Sequence, residues 1–197
     1  MLLECLSLEA KASVTAQSMV EAYPRNGVIF ARGDVPTQLH ILHSGTVTIC
    51  NYTPNGERKV ITTISTAGDS FGEVYLFLDQ QPYEFFAVAE TECMVQHIPK
   101  EVAFSNPALM AELLHLFARK AYTLNRRVQV LSSPSLREKL LIYIEQSKDA
   151  NNQVHLTGTR DELADWLNTT RPSLSRELMQ MQAQGLIRVD KRTITKV

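Results

Sequence analysis

The 197 residues carry 20 Lys+Arg against 21 Asp+Glu, a formal net charge of −1, with 44% hydrophobic and 21% charged residues. This balance excludes a disordered chain and suits one large domain or two small ones. No stretch reaches the ~18 apolar residues of a membrane helix, and the start MLLECLSLEAKAS lacks the basic region of a secretory signal, so a cytoplasmic protein with no membrane partner is expected. Cys5, Cys50 and Cys93 are scattered and odd in number, which argues against a disulfide framework or a paired metal-knuckle site. The charge is unevenly divided. Residues 1–118 hold 6 Lys+Arg and 13 Asp+Glu (−7), whereas 119–197 hold 14 and 8 (+6), so the C-terminal part is the one suited to phosphate.

In chain order, residues 1–22 read as one helix or two short ones, with Leu6, Leu8, Ala12, Val14 and Met19 as inward positions. From Tyr23 the pattern changes to short apolar runs between turn signals. The runs are Val28-Ile29-Phe30, Leu39 to Leu42, Thr46 to Asn51, Val60 to Ile64, Phe85 to Ala89 and Cys93 to Ile98. The turns are Pro24-Arg25-Asn26-Gly27, Arg32-Gly33-Asp34, His43-Ser44-Gly45, Pro54-Asn55-Gly56 and Ala67-Gly68-Asp69. Such spacing predicts a small antiparallel barrel or jelly roll. His40 and His43, three apart, fall on opposite strand faces, and no carboxylate follows at ligand spacing, so no metal site is expected. His40, His43, His97, His115 and His155 are read as surface or core residues rather than haem ligands.

Asn106-Pro107 opens a long helix running to about Leu131. Leu114, Phe117, Ala121, Leu124, Val128 and Leu131 recur at spacings of 3, 4, 3, 4 and 3, an a/d seam that favours a parallel contact with a second copy over packing on the chain's own barrel. Ser132-Ser133-Pro134-Ser135 breaks this helix and caps the next, in which Leu136, Leu140, Leu141 and Ile144 face inward. Lys148 to Gln153 reads as a polar loop.

The segment from Thr159 to Lys196 reads as a helix-turn-helix followed by a β wing. Thr159 is an N-cap with Asp161 and Glu162 in the first turn, and Leu163, Ala164 and Leu167 share a face. Asn168 suits a turn with φ > 0. Thr170 caps a second helix starting near Arg171, with Pro172 tolerated in its first turn. Leu174, Leu178 and Met181 form the inward stripe of this helix, which leaves Arg171, Ser173, Arg176 and Gln180 outward. Arginine's planar fork can bond guanine O6 and N7 together, so Arg171 and Arg176 are candidate base readers, with Ser173 beside them. Gln184-Gly185 ends the helix. Leu186 to Val189 and Thr193 to Thr195 flank Asp190-Lys191-Arg192, a hairpin with a basic tip suited to phosphate.

The run Thr169-Thr170-Arg171-Pro172-Ser173-Leu174-Ser175-Arg176-Glu177-Leu178 resembles the recognition helix of the Crp/Fnr superfamily of bacterial regulators. Residues 20–100 resemble the cyclic-nucleotide-binding domain of the same superfamily, through Gly27-Val28-Ile29-Phe30, Gly33-Asp34, Gly45, Gly56 and Gly68-Asp69-Ser70-Phe71-Gly72-Glu73. The last run is similar to the start of the phosphate-binding cassette, which places Gly72 and Glu73 in an effector pocket. Nucleotide-binding members then carry an arginine and a small hydroxyl residue where this chain has Tyr83 and Glu84. Losing the cation and adding a carboxylate bears on a charge pair worth roughly 4 kcal/mol at ~4 Å and an effective dielectric of about 20. Even heavily discounted, cyclic AMP and cyclic GMP are therefore not expected as effectors. Leu124 and Asn125 stand where relatives offer hydroxyls to the base, a second departure. An iron–sulfur sensor would need about four clustered cysteines, which this chain lacks.

The resemblance implies an α+β chain: an antiparallel β-roll sensor at 1–105, a dimerisation helix at 106–131 and a winged helix-turn-helix at 132–197. The implied function is a homodimeric transcription regulator on a palindromic operator in double-stranded DNA. An unidentified small-molecule effector would control it, and RNA polymerase would be a partner of an activator. Arg171, Ser173 and Arg176 would read bases, while Thr159, Arg160, Thr170 and Lys191 would hold phosphates. No cofactor, metal or catalytic residue is expected, because no nucleophile motif and no Gly-rich phosphate loop occurs. The rival reading is a ligand-binding or interaction module whose helix-turn-helix is vestigial.

Overall fold

Short alternating strands closed by tight turns build two four-stranded antiparallel sheets in the computed structural model, which describes residues 2–78 and 80–197. A 3-10 turn at Leu2–Cys5 and helix α1 (Leu8–Ala16) come first. Then follow β1 (Met19–Tyr23), β2 (Val28–Phe30), β3 (Gln38–Ser44), β4 (Val47–Tyr52), β5 (Arg58–Ile64) and β6 (Ser70–Phe71). Helix α2 (Glu73–Leu76), β7 (Phe86–Ala89), β8 (Cys93–Pro99) and α3 (Lys100–Ser105) lead into the long α4 (Pro107–Leu131). One sheet has the order β1-β8-β3-β6 and the other β2-β7-β4-β5. Beyond α4 lie α5 (Leu136–Ser147), β9 (Gln153–His155), α6 (Arg160–Trp166), α7 (Arg171–Ala183), β10 (Ile187–Asp190) and β11 (Thr193–Lys196). Two compact units result, Met1–Phe117 and Ala118–Val197. None of the described helices is long and apolar enough to cross a membrane.

The N-terminal expectation needs correction. Met1, its first residue, and Asp79 lie outside the described residues. The helical part ends at Ala16, and Met19–Tyr23 is a strand paired antiparallel with β8 from Met19↔His97 to Tyr23↔Cys93. Of the expected inward positions only Val14 is fully buried, whereas Leu8 and Met19 are strongly exposed. The open edge of β8 offers a ladder of backbone partners that a local helix pattern does not reveal. The polar loop after α5 is likewise corrected, because Gln153–His155 adds a third strand to the wing, pairing Ile194 with Val154.

Strand β3 is buried on both faces, which explains its unbroken apolar run. Leu39 and Ile41 join Leu3, Val14, Ile98, Leu109 and Leu113 beneath the helices. Leu42 joins Phe30, Val47, Ile49, Phe71, Tyr83 and Val95 between the sheets. His40 lies on this inner side, with its ring stacked on Phe30 and Phe71 at 5.4 Å each.

A chain of polar side chains crosses the roll beside that stack. Tyr23 Oη donates to Glu21 Oε2 at 2.9 Å, and Tyr23 Oη lies 3.1 Å from His97 Nε2. His97 Nδ1 faces His40 Nδ1 at 2.9 Å, and Tyr83 Oη lies 3.5 Å from His40 Nε2. A carboxylate accepts only, so the Tyr23 proton points to Glu21 and its oxygen takes the His97 Nε2 proton. His97 Nδ1 must then accept from His40, and His40 Nε2 is left to accept from Tyr83. All four bonds run in one direction, toward the surface carboxylate. Burial pushes both imidazoles toward neutrality, His40 down to about 3, with His97 beside it adding to the effect.

Helix α4 shows several faces. Leu109 and Leu113 are buried in the first unit and Val130 in the second. Phe117 is half-buried, edge-on to Phe77 at 5.3 Å, and Leu131 is half-buried. The remaining seam positions, Leu114, Ala121, Leu124 and Val128, are exposed, with Leu114 at 68% and Leu124 at 62%.

The neutral His40 makes stability pH-dependent. Its folded value is lowered, so the unfolded chain takes up a proton as pH falls below about 6.5 while the folded protein does not; stability is complete above that value and is lost toward about 3. Melting temperature should fall between about pH 6.5 and about pH 5, above the carboxylate range, with the His40 contribution approaching ~1.4 kcal/mol per pH unit. His40→Gln should flatten that slope; an equally steep profile in the variant would show that His40 is not its source.

Candidate nucleic-acid interface and effector site

Local sequence builds the helix-turn-helix almost unaided. Thr159 accepts from the Glu162 amide at 3.2 Å while Glu162 Oε2 accepts from the Thr159 amide at 3.0 Å, a complete capping box for α6. Asn168 takes φ +52°, turning the chain so that the Thr169 amide reaches the Ala164 carbonyl at 2.9 Å. Thr170 caps α7 through the Ser173 amide at 3.4 Å. At the other end Gly185 takes φ +73°. There the Leu186 amide bonds the Met181 carbonyl and the Gly185 amide the Gln182 carbonyl, both at 3.0 Å, closing a Schellman motif.

Packing decides which face of α7 remains outside. Leu174, Leu178 and Met181 are buried with Leu163, Leu167, Ile187, Ile194 and α5 residues Leu140 and Ile144. Arg137 ties α5 to α7 through Glu177 Oε1 at 2.6 Å and Gln184 Oε1 at 2.9 Å. The opposite face exposes Arg171, Arg176, Met179 and Gln180. Ser173 is half-buried, and its hydroxyl accepts from Thr170 at 2.9 Å, which leaves its own proton to donate. Arg171 Nη1 bonds Asp161 Oδ2 at 3.1 Å with both side chains more than half exposed; Nη2 and Nε remain open to a base edge.

The wing brings its own cations. Lys191 takes φ +49° at the hairpin tip, and its carbonyl accepts from Arg160 at 3.5 Å, which joins the start of α6 to the wing. Arg188, Lys191 and Arg192 are all exposed. Sequence reasoning passed over Arg188 and Met179, which the outward positions of a short strand and a helix of known face would have identified, and did not anticipate the contact of Asp161 with Arg171.

The expected effector residues of the first unit differ in environment. Gly72 N-caps α2 with φ +72°, and a Cβ there would stand 3.0 Å from Tyr83 Oη and 3.1 Å from the Phe30 ring. Glu73 is buried, whereas Glu84 is exposed and accepts from Tyr75 Oη at 3.3 Å. Leu124 and Asn125 belong to the second unit and are exposed. Tyr83 is the unexpected one. Its ring lies 3.9 Å from Phe30 at 17°, only 2% of it is exposed, and burial with the Glu73 and Asp34 carboxylates holds its phenol protonated. An aromatic stack thus fills the roll interior beside the cassette-like turn.

Gly72→Ala should be felt here, since it adds both left-handed strain and a contact with Tyr83 and Phe30. A loss of about 1–3 kcal/mol in denaturant unfolding is expected, and a neutral result would contradict the close packing at that turn.

Comparison with known proteins agrees with this architecture. Residues 20–105 match the cyclic nucleotide-binding domain and residues 118–197 the Crp-like helix-turn-helix domain. The chain is 26% identical over 186 residues to the nitrogen fixation regulation protein FixK of Azorhizobium caulinodans, covering 88% of this chain and 73% of that protein. It is 26% identical over 196 residues to the CRP-like cAMP-activated global transcriptional regulator of Mycobacterium tuberculosis (94% and 87%). It is 28% identical over 178 residues to the transcriptional regulator LdrP of Thermus thermophilus (85% and 87%). The same fold occurs in the Thermus thermophilus catabolite activator protein, with TM-score 0.55 and 22% identity over 100% of this chain and 93% of that one. Two matching domains in this order, with relatives aligned over most of both chains and named as regulators, place the chain in the Crp/Fnr superfamily of transcription regulators.

Proposed function

We propose that two copies of this chain pair along α4 and bind a two-fold-symmetric operator in double-stranded DNA, as a cytoplasmic regulator without catalytic activity. The observation that carries this reading is the guanidinium-bearing face of α7, held outward because Leu174, Leu178 and Met181 are buried behind it. Arg171 and Arg176 read bases and Ser173 donates beside them. Thr159, Arg160, Thr170 and Lys191 hold phosphates, which position without specifying. The exposed apolar positions Leu114, Ala121, Leu124 and Val128 supply the seam between copies. Residues 1–105 then act as sensor, 106–131 as dimerisation helix and 132–197 as DNA-binding domain, with RNA polymerase as the partner where the regulator activates.

The effector is not a cyclic nucleotide in this reading. Tyr83 offers a buried neutral phenol where a phosphate needs a cation, and Phe30, His40 and Phe71 fill the space around it. An effector acts by favouring one of two arrangements of the DNA-binding domains and must bind that arrangement more tightly.

Selection from a random duplex pool by the purified protein should enrich a palindrome whose half-sites lie one helical turn apart. Arg171→Glu/Arg176→Glu should lose operator affinity by at least ~100-fold while remaining dimeric, since each bidentate guanine contact is worth ~1–3 kcal/mol. Equal enrichment by the variant would refute the assigned reading residues, and no enrichment by a folded dimer would favour a vestigial helix-turn-helix. Leu124→Glu/Val128→Glu should sediment as a monomer if α4 is the seam. Cyclic AMP at millimolar concentration should leave the melting temperature unchanged; a saturable upward shift would overturn the exclusion of nucleotides.

A further inference from the structure

With the roll interior occupied by its own side chains, a second opening in the first unit becomes informative. A half-open cavity of ≈380 Å³ lies between α1 and the first sheet, on the face opposite the aromatic stack. That volume falls at the low end of the ~300–1,000 Å³ typical of small-ligand sites. Its apolar wall includes Leu3 of the 3-10 turn, Val20 of β1 and Ile41 of β3. Val20 is 44% exposed although a helix overlies the same face of the sheet.

Two opposite charges border this apolar wall, Glu4 from the 3-10 turn and Lys11 from α1. Among the described residues neither side chain makes a hydrogen bond or ion pair, with the other or with any third group. Of the other polar side chains in the lining, His43 and Gln96 are already committed. Gln96 Oε1 accepts from His43 Nε2 at 2.8 Å and its Nε2 donates to Ser18 at 2.6 Å. The cavity therefore presents an anion and a cation that have no partner among the described residues, beside a hydrophobic surface and the His43–Gln96 pair.

We propose that this cavity binds an apolar α-amino acid, with its ammonium on Glu4, its carboxylate on Lys11 and its side chain against Leu3, Val20 and Ile41. The charges choose the class. A fatty or aromatic acid would set a carboxylate beside Glu4 and an amine would set a cation beside Lys11, whereas a zwitterion satisfies both. The apolar wall then selects a leucine-like or phenylalanine-like side chain over glycine. Binding here is a property of the DNA-free protein, so it stands or fails separately from operator recognition.

Isothermal titration calorimetry on the full chain tests it with L-leucine and L-phenylalanine, beside isocaproate, isoamylamine and glycine as partial analogues. A ligand of this size should bind with a dissociation constant of about 0.1–1 mM, and each partial analogue at least ~10-fold more weakly. Glu4→Gln and Lys11→Met, both exposed, should each weaken leucine or phenylalanine binding at least ~10-fold without moving the melting temperature. Thr15→Trp, from an exposed position of α1 that borders the cavity, should fill it and abolish binding. No saturable heat from either amino acid up to ~10 mM would overturn the assignment. So would isocaproate binding as tightly as leucine, or undiminished binding by a folded Thr15→Trp protein.

Discussion

Both units are built on a helix that cannot bury a single stripe along its whole length. At 1.5 Å per residue the 25 residues of α4 span roughly 37 Å, about the width of a small domain and more than one packing surface covers. Leu109 and Leu113 serve the core of the first unit and Val130 that of the second. The a/d positions between them, Leu114, Ala121, Leu124 and Val128, are left in solvent. Exposed apolar side chains at heptad spacing gain most from a second helix of the same kind, so the division of α4 between two cores accounts for the pairing proposed for it.

Inside the roll the governing interaction is the stacking of Tyr83 on Phe30. It brings a phenol against His40, and His40 in turn requires His97, Tyr23 and Glu21 to complete its hydrogen bonds, because an unpaired buried imidazole nitrogen would be costly. The interior of the roll is thereby a hydrophobic core with one polar chain through it. In a chain 26% identical to a relative named for activation by cAMP, the roll interior beside the cassette-like turn holds a stacked Phe30–Tyr83 pair.

The outward side of α6 and α7 shows the same separation between scaffold and chemistry. A capping box at α6, the Thr170 N-cap at α7, a left-handed asparagine and a glycine stop define where α6 and α7 begin and end, and the buried stripe defines how α7 is rotated. What remains outward is a set of guanidinium and ammonium groups with few internal partners. The contact of Arg171 with Asp161 is the main exception, and a solvent-exposed pair of this kind is worth at most about 1 kcal/mol.

By itself the sequence determined most of the second unit. The two helices, Thr159 and Thr170 as caps, Asn168 at the turn and the end at Gln184-Gly185 are local choices, set by backbone propensity and near-neighbour hydrogen bonds. The strands of the roll were legible for a similar reason, through alternation and turn residues, and the span of α4 through its Asn106-Pro107 start and the break before Pro134. Only the tertiary structure decided matters that depend on distant partners. Met19–Tyr23 became a strand because β8 offered an unpaired edge. His155 and Val154 joined the wing because β11 was beside them. Tyr83 was read as a missing cation, and the fold made it the centre of a stack, since stacking joins residues 30, 40, 71 and 83 that no local pattern relates. The lone charges of Glu4 and Lys11 likewise acquired meaning only when the fold set them beside one cavity.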